Sequence, residues 1–243
     1  MRAAARSVAA IFLVAILLGP ACRQTTPEPA PPRQISLPEP RKDGGMSVEA
    51  AIAARRSVRE FSDVRLTWAE IGQLAWAAQG ITDPAGRLRA APSAGALYPL
   101  ELYFVTPDGA YHYVPAGHKM EQLSDGDLRG ELRSAGGNQE ALGRAPLTIV
   151  IAAVYERTAA RYDERAQRYV HIETGHVGGN IHLQAKALGL DSVPIGAFRD
   201  DEVVRLLSLP PDCTPVYLIA VGHAQARPAS SDRETGSAEG DGR

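Results

Sequence analysis

Arg55-Arg56-Ser57-Val58-Arg59 places three guanidinium groups and a hydroxyl within five residues, at the end of a short predicted helix. Arginine stays charged and meets phosphate oxygens with a planar fork, so the cluster reads as a phosphate clamp. The plainer alternative is a solvated helix end whose cations complement the macrodipole. Upstream, Ser47 can cap the helix that runs through Val48, Ala51 and Ile52 to about Arg56. Downstream, Thr67-Trp68-Ala69-Glu70 is a capping-box pattern. It opens a second helix with Trp68, Ile71, Leu74, Ala75 and Ala78 on one face and Gly80 as its stop.

Farther along, Leu102 to Thr106 and Tyr111 to Val114 flank Pro107-Asp108-Gly109-Ala110 and read as a β-hairpin. Asp125 to Ala135 is expected to be helical and to end at Gly136-Gly137. Leu147 to Val154 is a nearly unbroken apolar run rich in β-branched residues, the signature of a buried central strand. A polar helix over Glu156 to Gln167 precedes the longest helix, about Tyr169 to Leu188, whose glycines allow another group to approach closely. A short strand at Val193 to Ile195, a helix from Asp200 to Leu207 and a strand from Val216 to Val221 follow. Strands and helices mix without strict alternation, so the fold class is α+β.

The chain has 243 residues, of which 44% are hydrophobic and 22% charged, enough for a real core. A formal net charge of −2 and the lack of a basic, aromatic-interleaved stripe give no reason to expect nucleic acid. Cys22 and Cys213 lie far apart, and His171, His176 and His182 are spaced by five and six, so neither a disulfide nor a metal site is expected. Arg2 and Arg6 precede an apolar run from Ser7 to Leu18, too short to span a bilayer comfortably. Gly19-Pro20-Ala21-Cys22 resembles the lipobox of bacterial lipoproteins, with Gly19 where Leu is usual. Residues 1–22 are therefore expected to export the chain and anchor it in the envelope membrane through a lipidated Cys22. A plain cleaved signal or an uncleaved anchor is the alternative. Residues 23–45, with Pro27, Pro29, Pro31, Pro32, Pro38 and Pro40, read as a tether. Residues 46–227 read as one folded domain, and residues 228–243 lack the large apolar side chains needed to fold.

Two loops of small residues stand out. Pro92-Ser93-Ala94-Gly95-Ala96-Leu97-Tyr98-Pro99 joins a helix to a strand, and Pro194-Ile195-Gly196-Ala197-Phe198 follows a strand. Small side chains expose backbone N–H groups that can bond a flat heterocycle, although each loop alone also fits ordinary turn chemistry.

Taken in order, these pieces resemble the nitroreductase-like flavoprotein family, most of all its thiazole- and oxazole-forming peptide dehydrogenases (the SagB type). The further matching stretches are Glu60-Phe61, Ala75-Trp76-Ala77-Ala78-Gln79-Gly80, Leu100-Glu101, Glu173-Thr174-Gly175-His176, Asn180-Ile181-His182-Leu183-Gln184-Ala185 and Leu188-Gly189-Leu190. The resemblance implies a mixed or antiparallel sheet flanked by helices in an intertwined homodimer, with FMN at the interface. By position, Arg55, Arg56 and Ser57 would hold the phosphate and ribityl chain, and Arg59 would approach the pyrimidine edge. Positive charge there favours the reduced, anionic ring. Pro92, Ser93, Ala94 and Gly95 would line the ring from the partner subunit, while Pro194 and Ile195 lead to Gly196 and Ala197, whose N–H groups lie near N5. A basic residue after the last strand completes the phosphate site, and His223 or Arg227 is placed to supply it.

The resemblance further implies hydride transfer through flavin N5, with NAD(P)H as a candidate donor and a small electron-poor molecule, a quinone-like acceptor or a modified peptide as substrate. Outside the cytoplasm a nicotinamide donor is scarce. The azoline-oxidising enzymes carry a Lys-Tyr pair ahead of the long helix, where this chain has Arg161-Tyr162. Arginine does not give up its proton near neutral pH, so a general-base role at Arg161 is disfavoured and Tyr162 is left to orient a substrate. Besides azoline-to-azole peptide oxidation, the remaining alternative is an envelope flavin-binding or scaffold protein without turnover.

Overall fold

The computed structural model describes residues 32–226, with seven strands and seven α-helices. The predicted signal, Cys22, the start of the tether, Arg227 and the tail lie outside the described residues. The strands are β1 (Gln34–Ser36), β2 (Leu100–Thr106), β3 (Gly109–Val114), β4 (Lys119–Asp125), β5 (Leu147–Ala153), β6 (Asp191–Ile195) and β7 (Thr214–Gly222). They form one sheet in the order β1-β4-β3-β2-β5-β7-β6, and every neighbouring pair is antiparallel.

All seven residues of β5 are buried, as its unbroken apolar sequence requires of a strand covered on both faces. Alternation along it separates two cores. Leu147, Ile149, Ile151 and Ala153 face the layer of α2 (Trp68–Gln79) and α6 (Ala166–Ala187). Val150 and Ala152 face the layer of α3 (Arg129–Ala135), α4 (Glu140–Arg144) and α7 (Asp200–Leu207). The result is an α+β, helix–sheet–helix sandwich.

Local sequence chemistry accounts for the helix ends. Thr67 Oγ1 accepts from the Glu70 N–H at 3.3 Å while Glu70 Oε2 accepts from the Thr67 N–H at 2.7 Å, the reciprocal capping box. Ser47 Oγ accepts from the Ala50 N–H and starts α1 (Val48–Ala54). Of the glycines on α6, Gly178 meets the Tyr217 ring, whereas Gly175 and Gly179 face open space.

Three expectations change. The body begins before Met46, because β1 pairs with β4 and Leu37 joins the core. The region ahead of α3 is a strand, so the helix starts at Arg129 rather than Asp125, and α4 is additional. The polar helix and the long helix meet at a 3-10 turn, with α5 spanning Tyr155–Tyr162 and α6 beginning at Ala166.

Candidate active site

The basic stretch is held in place by the sheet. Arg55 caps the end of α1, and the chain then runs extended: the Val58 N–H donates to Ser192 O on β6 at 3.1 Å. Farther on, the Ser62 N–H donates to His223 O and the Gln225 N–H to Glu60 O, both at 2.9 Å, so the segment also lies against the residues that leave β7. Phe61, only 2% exposed, plugs this junction. Arg55, Ser57, Arg59 and His223 are thereby gathered where β6 begins and β7 ends.

The arginines differ in what they can still do. Arg56 Nη1 donates to Ala53 O at 2.9 Å and to Arg55 O at 2.7 Å, which commits it to the carbonyls at the end of α1. The half-buried Arg55 guanidinium has no acceptor among the described residues. It sits beside His182, which is buried on α6 and hydrogen-bonded to Ser192 Oγ at 2.6 Å. Burial, and then the Arg55 charge, hold the His182 pKa below its ordinary value.

At its other end β6 runs through Pro194 and Ile195 into Gly196-Ala197. Pro194 is tolerated because β6 is an edge strand with one unpaired side. Gly196 and Ala197 are exposed, and their N–H groups donate to no protein acceptor among the described residues, while Ala197 O accepts from Gln139 Nε2 at 3.0 Å. From Ser192 to Gly196 the strand covers roughly 13 Å at its usual rise. One edge of the sheet thus carries cations at one end and free amide donors at the other. That arrangement fits an extended molecule with an anionic tail and a hydrogen-bonding heterocycle, and the residues expected to hold FMN fit that group.

The loop from Pro92 to Tyr98 lies elsewhere on the same chain. It forms a 3-10 turn at Ala94–Ala96 with left-handed backbone at Gly95 (φ 63°), Ala96 (φ 55°) and Tyr98 (φ 48°). A methyl group on Gly95 would stand 2.9 Å from both Arg161 Nη1 and Tyr162 Oη, so the Arg161-Tyr162 pair rests directly on this turn. Tyr162 is steadied edge-on by Tyr169, with 4.9 Å between ring centroids. Ser93 and the Arg55 contact map to Glu173 and His182 on α6, nine residues or about 13 Å apart along the helix. One chain therefore presents two separate half-sites.

Several residues around the turn were missed from sequence. Arg157 Nη1 donates to Tyr98 O at 3.2 Å, and Arg157 pairs with Glu101 at 2.5 Å. Burial would raise the Glu101 pKa, but His112 and Arg157 outweigh it and hold the carboxyl below its usual value. Gln79, Arg89 and Glu173 stand behind the turn. Glu101, Gln79 and Glu173 all fall inside the stretches that carry the family resemblance, which was the available signal. His176 on α6 is exposed, whereas His182 is buried. A cavity of about 450 Å³ between the Arg41 to Val48 segment, α2 and α6 shares no lining residue with either half-site.

The nitroreductase family pattern matches residues 52–223. A Methanocaldococcus jannaschii protein described as a nitroreductase, MJ1384, is 39% identical over 195 residues, covering 78% of this chain and 96% of its own. The Escherichia coli microcin B17-processing protein McbC is 28% identical over 138 residues, and the match spans 52% of this chain and 51% of McbC. A nitroreductase-like crystal structure from Ralstonia eutropha JMP134 superposes with a TM-score of 0.73 at 30% identity, covering 80% of this chain and 91% of that one. The ordered cations, the two small-residue loops and the antiparallel sheet that displays them are accounted for together: the chain belongs to the nitroreductase family.

Proposed function

We propose that the protein is an FMN-dependent oxidoreductase, built as a homodimer, that passes electrons to or from a small electron-poor molecule or a modified peptide. The observation that carries this reading is the β6 edge, with the unengaged Arg55 guanidinium and Ser57 at its start and the free Gly196 and Ala197 amides at its end. Bound there, FMN supplies a two-electron carrier that takes up and releases hydride at N5. Arg55 and Ser57 hold the phosphate by charge-assisted bonds, His223 approaches it from the β7 exit, and the two amides orient the ring edge. Arg59, gathered with them where β6 begins, adds positive charge at that same end rather than at the pyrimidine edge. The Ser93 to Gly95 turn, about 13 Å away along α6, lines a ring held by the other subunit. Ile172 (49% exposed), Gly175 and Gly179 on α6, with Val48 and Ile52 on α1, offer the apolar, close-approach surface for that second copy.

The test is to purify the full chain, record its visible spectrum and identify any released chromophore by mass. A yellow protein that releases FMN supports the reading. A folded, colourless protein that takes up no added FMN overturns it, and bound flavin that no donor reduces leaves a flavin-binding protein without turnover.

The placement of Arg161-Tyr162 on the Gly95 turn favours a second reading, azoline-to-azole oxidation in a peptide, in keeping with the similarity to McbC. A guanidinium is a poor general base, so Tyr162 is the side chain of the pair left to orient the substrate. Oxidation of an azoline-bearing peptide, lost in Tyr162→Phe, would select this reading over a nitroreductase or quinone reductase using NAD(P)H. Anchoring at Cys22 belongs to the same proposal and is tested by palmitate labelling of the wild-type chain and its absence in Cys22→Ser.

A further inference from the structure

Behind the Pro92 to Tyr98 turn, five residues form a connected series of contacts. Glu173 on α6, 2% exposed, accepts from Gln79 Nε2 on α2 at 3.2 Å. Gln79, 1% exposed, accepts in turn from Arg89 Nη1 at 3.2 Å. The Arg89 guanidinium lies over the Tyr98 ring, 4.5 Å from its centroid, and the Arg89 N–H donates to Tyr98 Oη at 3.1 Å. The Tyr98 N–H donates to Ser93 Oγ at 2.9 Å, and the Ser93 side chain lies close to the Glu173 carboxyl.

A carboxyl buried this deeply is expensive unless its partners are complete, and a satisfied polar network of this kind rigidifies what it touches. What it touches is strained. Ala96 and Tyr98 carry side chains yet sit at positive φ, a conformation that persists only where the surroundings over-determine it. Ser93 Oγ accepts from the Tyr98 N–H within the turn and lies beside the buried Glu173 carboxyl. The hydroxyl therefore faces the protein, and only the backbone of Ser93, Ala94 and Gly95 remains to face a ligand.

We propose that Glu173 and Arg89 are positioning residues that lock the Ser93 to Gly95 backbone in the conformation that lines the flavin, with Ser93 serving as the keystone of that lock. Gln79 transmits the constraint from α2, and Tyr98 seals the turn from the far side. The inference rests on the FMN reading above.

The experiment compares full-length wild type with Glu173→Gln, Ser93→Ala, the double variant and Arg89→Lys. Each is titrated with FMN, its bound flavin is examined by visible circular dichroism, and amide exchange at Tyr98 is followed in the flavin-free protein. Glu173→Gln keeps the shape but sets an amide N–H₂ against donors. Each single variant is expected to weaken FMN binding about tenfold, the loss of one charge-assisted contact in a coupled set. Each should also alter the flavin dichroism and speed Tyr98 exchange, with the double variant no worse than the poorer single one. Unchanged affinity and dichroism with only a lower melting temperature would overturn the positioning role, as would affinity losses that multiply in the double variant. Should Glu173→Gln fail to fold, Arg89→Lys carries the test, since it keeps the charge but loses the planar group over Tyr98. Wild-type protein that binds no FMN would instead overturn the flavin reading, and the positioning role with it.

Discussion

Arg55 and Arg56 are adjacent and identical, yet their expected contributions to cofactor binding differ. Arg55 is half-buried, has no acceptor among the described residues and stands beside the His182–Ser192 pair at the start of β6. Arg56 is exposed and already donates to Ala53 O and Arg55 O. Removing a hydrogen bond to a charged group costs about 1.5–3 kcal/mol. At 1.4 kcal/mol per factor of ten, Arg55→Ala should weaken FMN binding by about 10- to 100-fold. Arg56→Ala gives up a helix-end contact with an expected worth of about 0.3–1 kcal/mol, which appears as lost stability and not as lost affinity. Arg55→Lys, with charge but no fork, should fall between wild type and Arg55→Ala. Titration with FMN by flavin fluorescence, alongside urea denaturation, separates the two effects. Equal weakening by the two alanine variants, or a larger loss at Arg56, would refute the assignment of the phosphate contact to Arg55.

Thr67→Ala removes one half of the capping box at α2 and should cost about 1 kcal/mol, read as a lower urea midpoint with an unchanged slope. Ile149→Ala opens a cavity in the fully buried face of β5 toward α2 and α6 and should cost about 2–5 kcal/mol by the same measurement. His182 has a folded-state pKa below its unfolded value, because of burial and then Arg55. Its contribution to stability is therefore complete above about pH 6.5 and is lost as pH falls through the folded pKa. Arg55→Ala should move the His182 imidazole titration upward in an NMR experiment, and an unmoved titration would place the Arg55 charge elsewhere.

What the sequence made legible follows from how local each signal is. The Thr67–Glu70 box, the apolar run of β5 and the amphipathic α7 declare themselves within a dozen residues, and all three elements formed. β1 and β4 did not, for a physical reason. β1 is three residues inside a proline-rich segment and becomes a strand only because β4 offers it an edge. In β4 only Met120 is buried while Leu123 is 44% exposed, so no period-two pattern marks it. The site divides in the same way. Cations and small-residue loops can be read along the chain, whereas the network behind Ser93 depends on pairings such as Gln79 with Glu173, 94 positions apart, which no local pattern encodes.

The two ends of the candidate cofactor groove are held in register by β6, and its register is set by the core rather than by the site. Val193 and Ile195 are buried with α3 and α7 on one face of the sheet, so alternation turns Ser192 to the opposite face, where it meets His182. Pro194 and Gly196 alternate onto that same side, the side from which Arg55 approaches. A slip of one residue would set Ser192 among the apolar side chains of α3 and α7 and turn Val193 and Ile195 out of that core onto the His182 side. The hydrophobic face of an edge strand thus fixes the spacing between the cation-bearing end and the free-amide end proposed to hold FMN. The Ser57 bridge to Ser192 serves the same end: it ties the proposed clamp to the strand whose register sets the distance to Gly196.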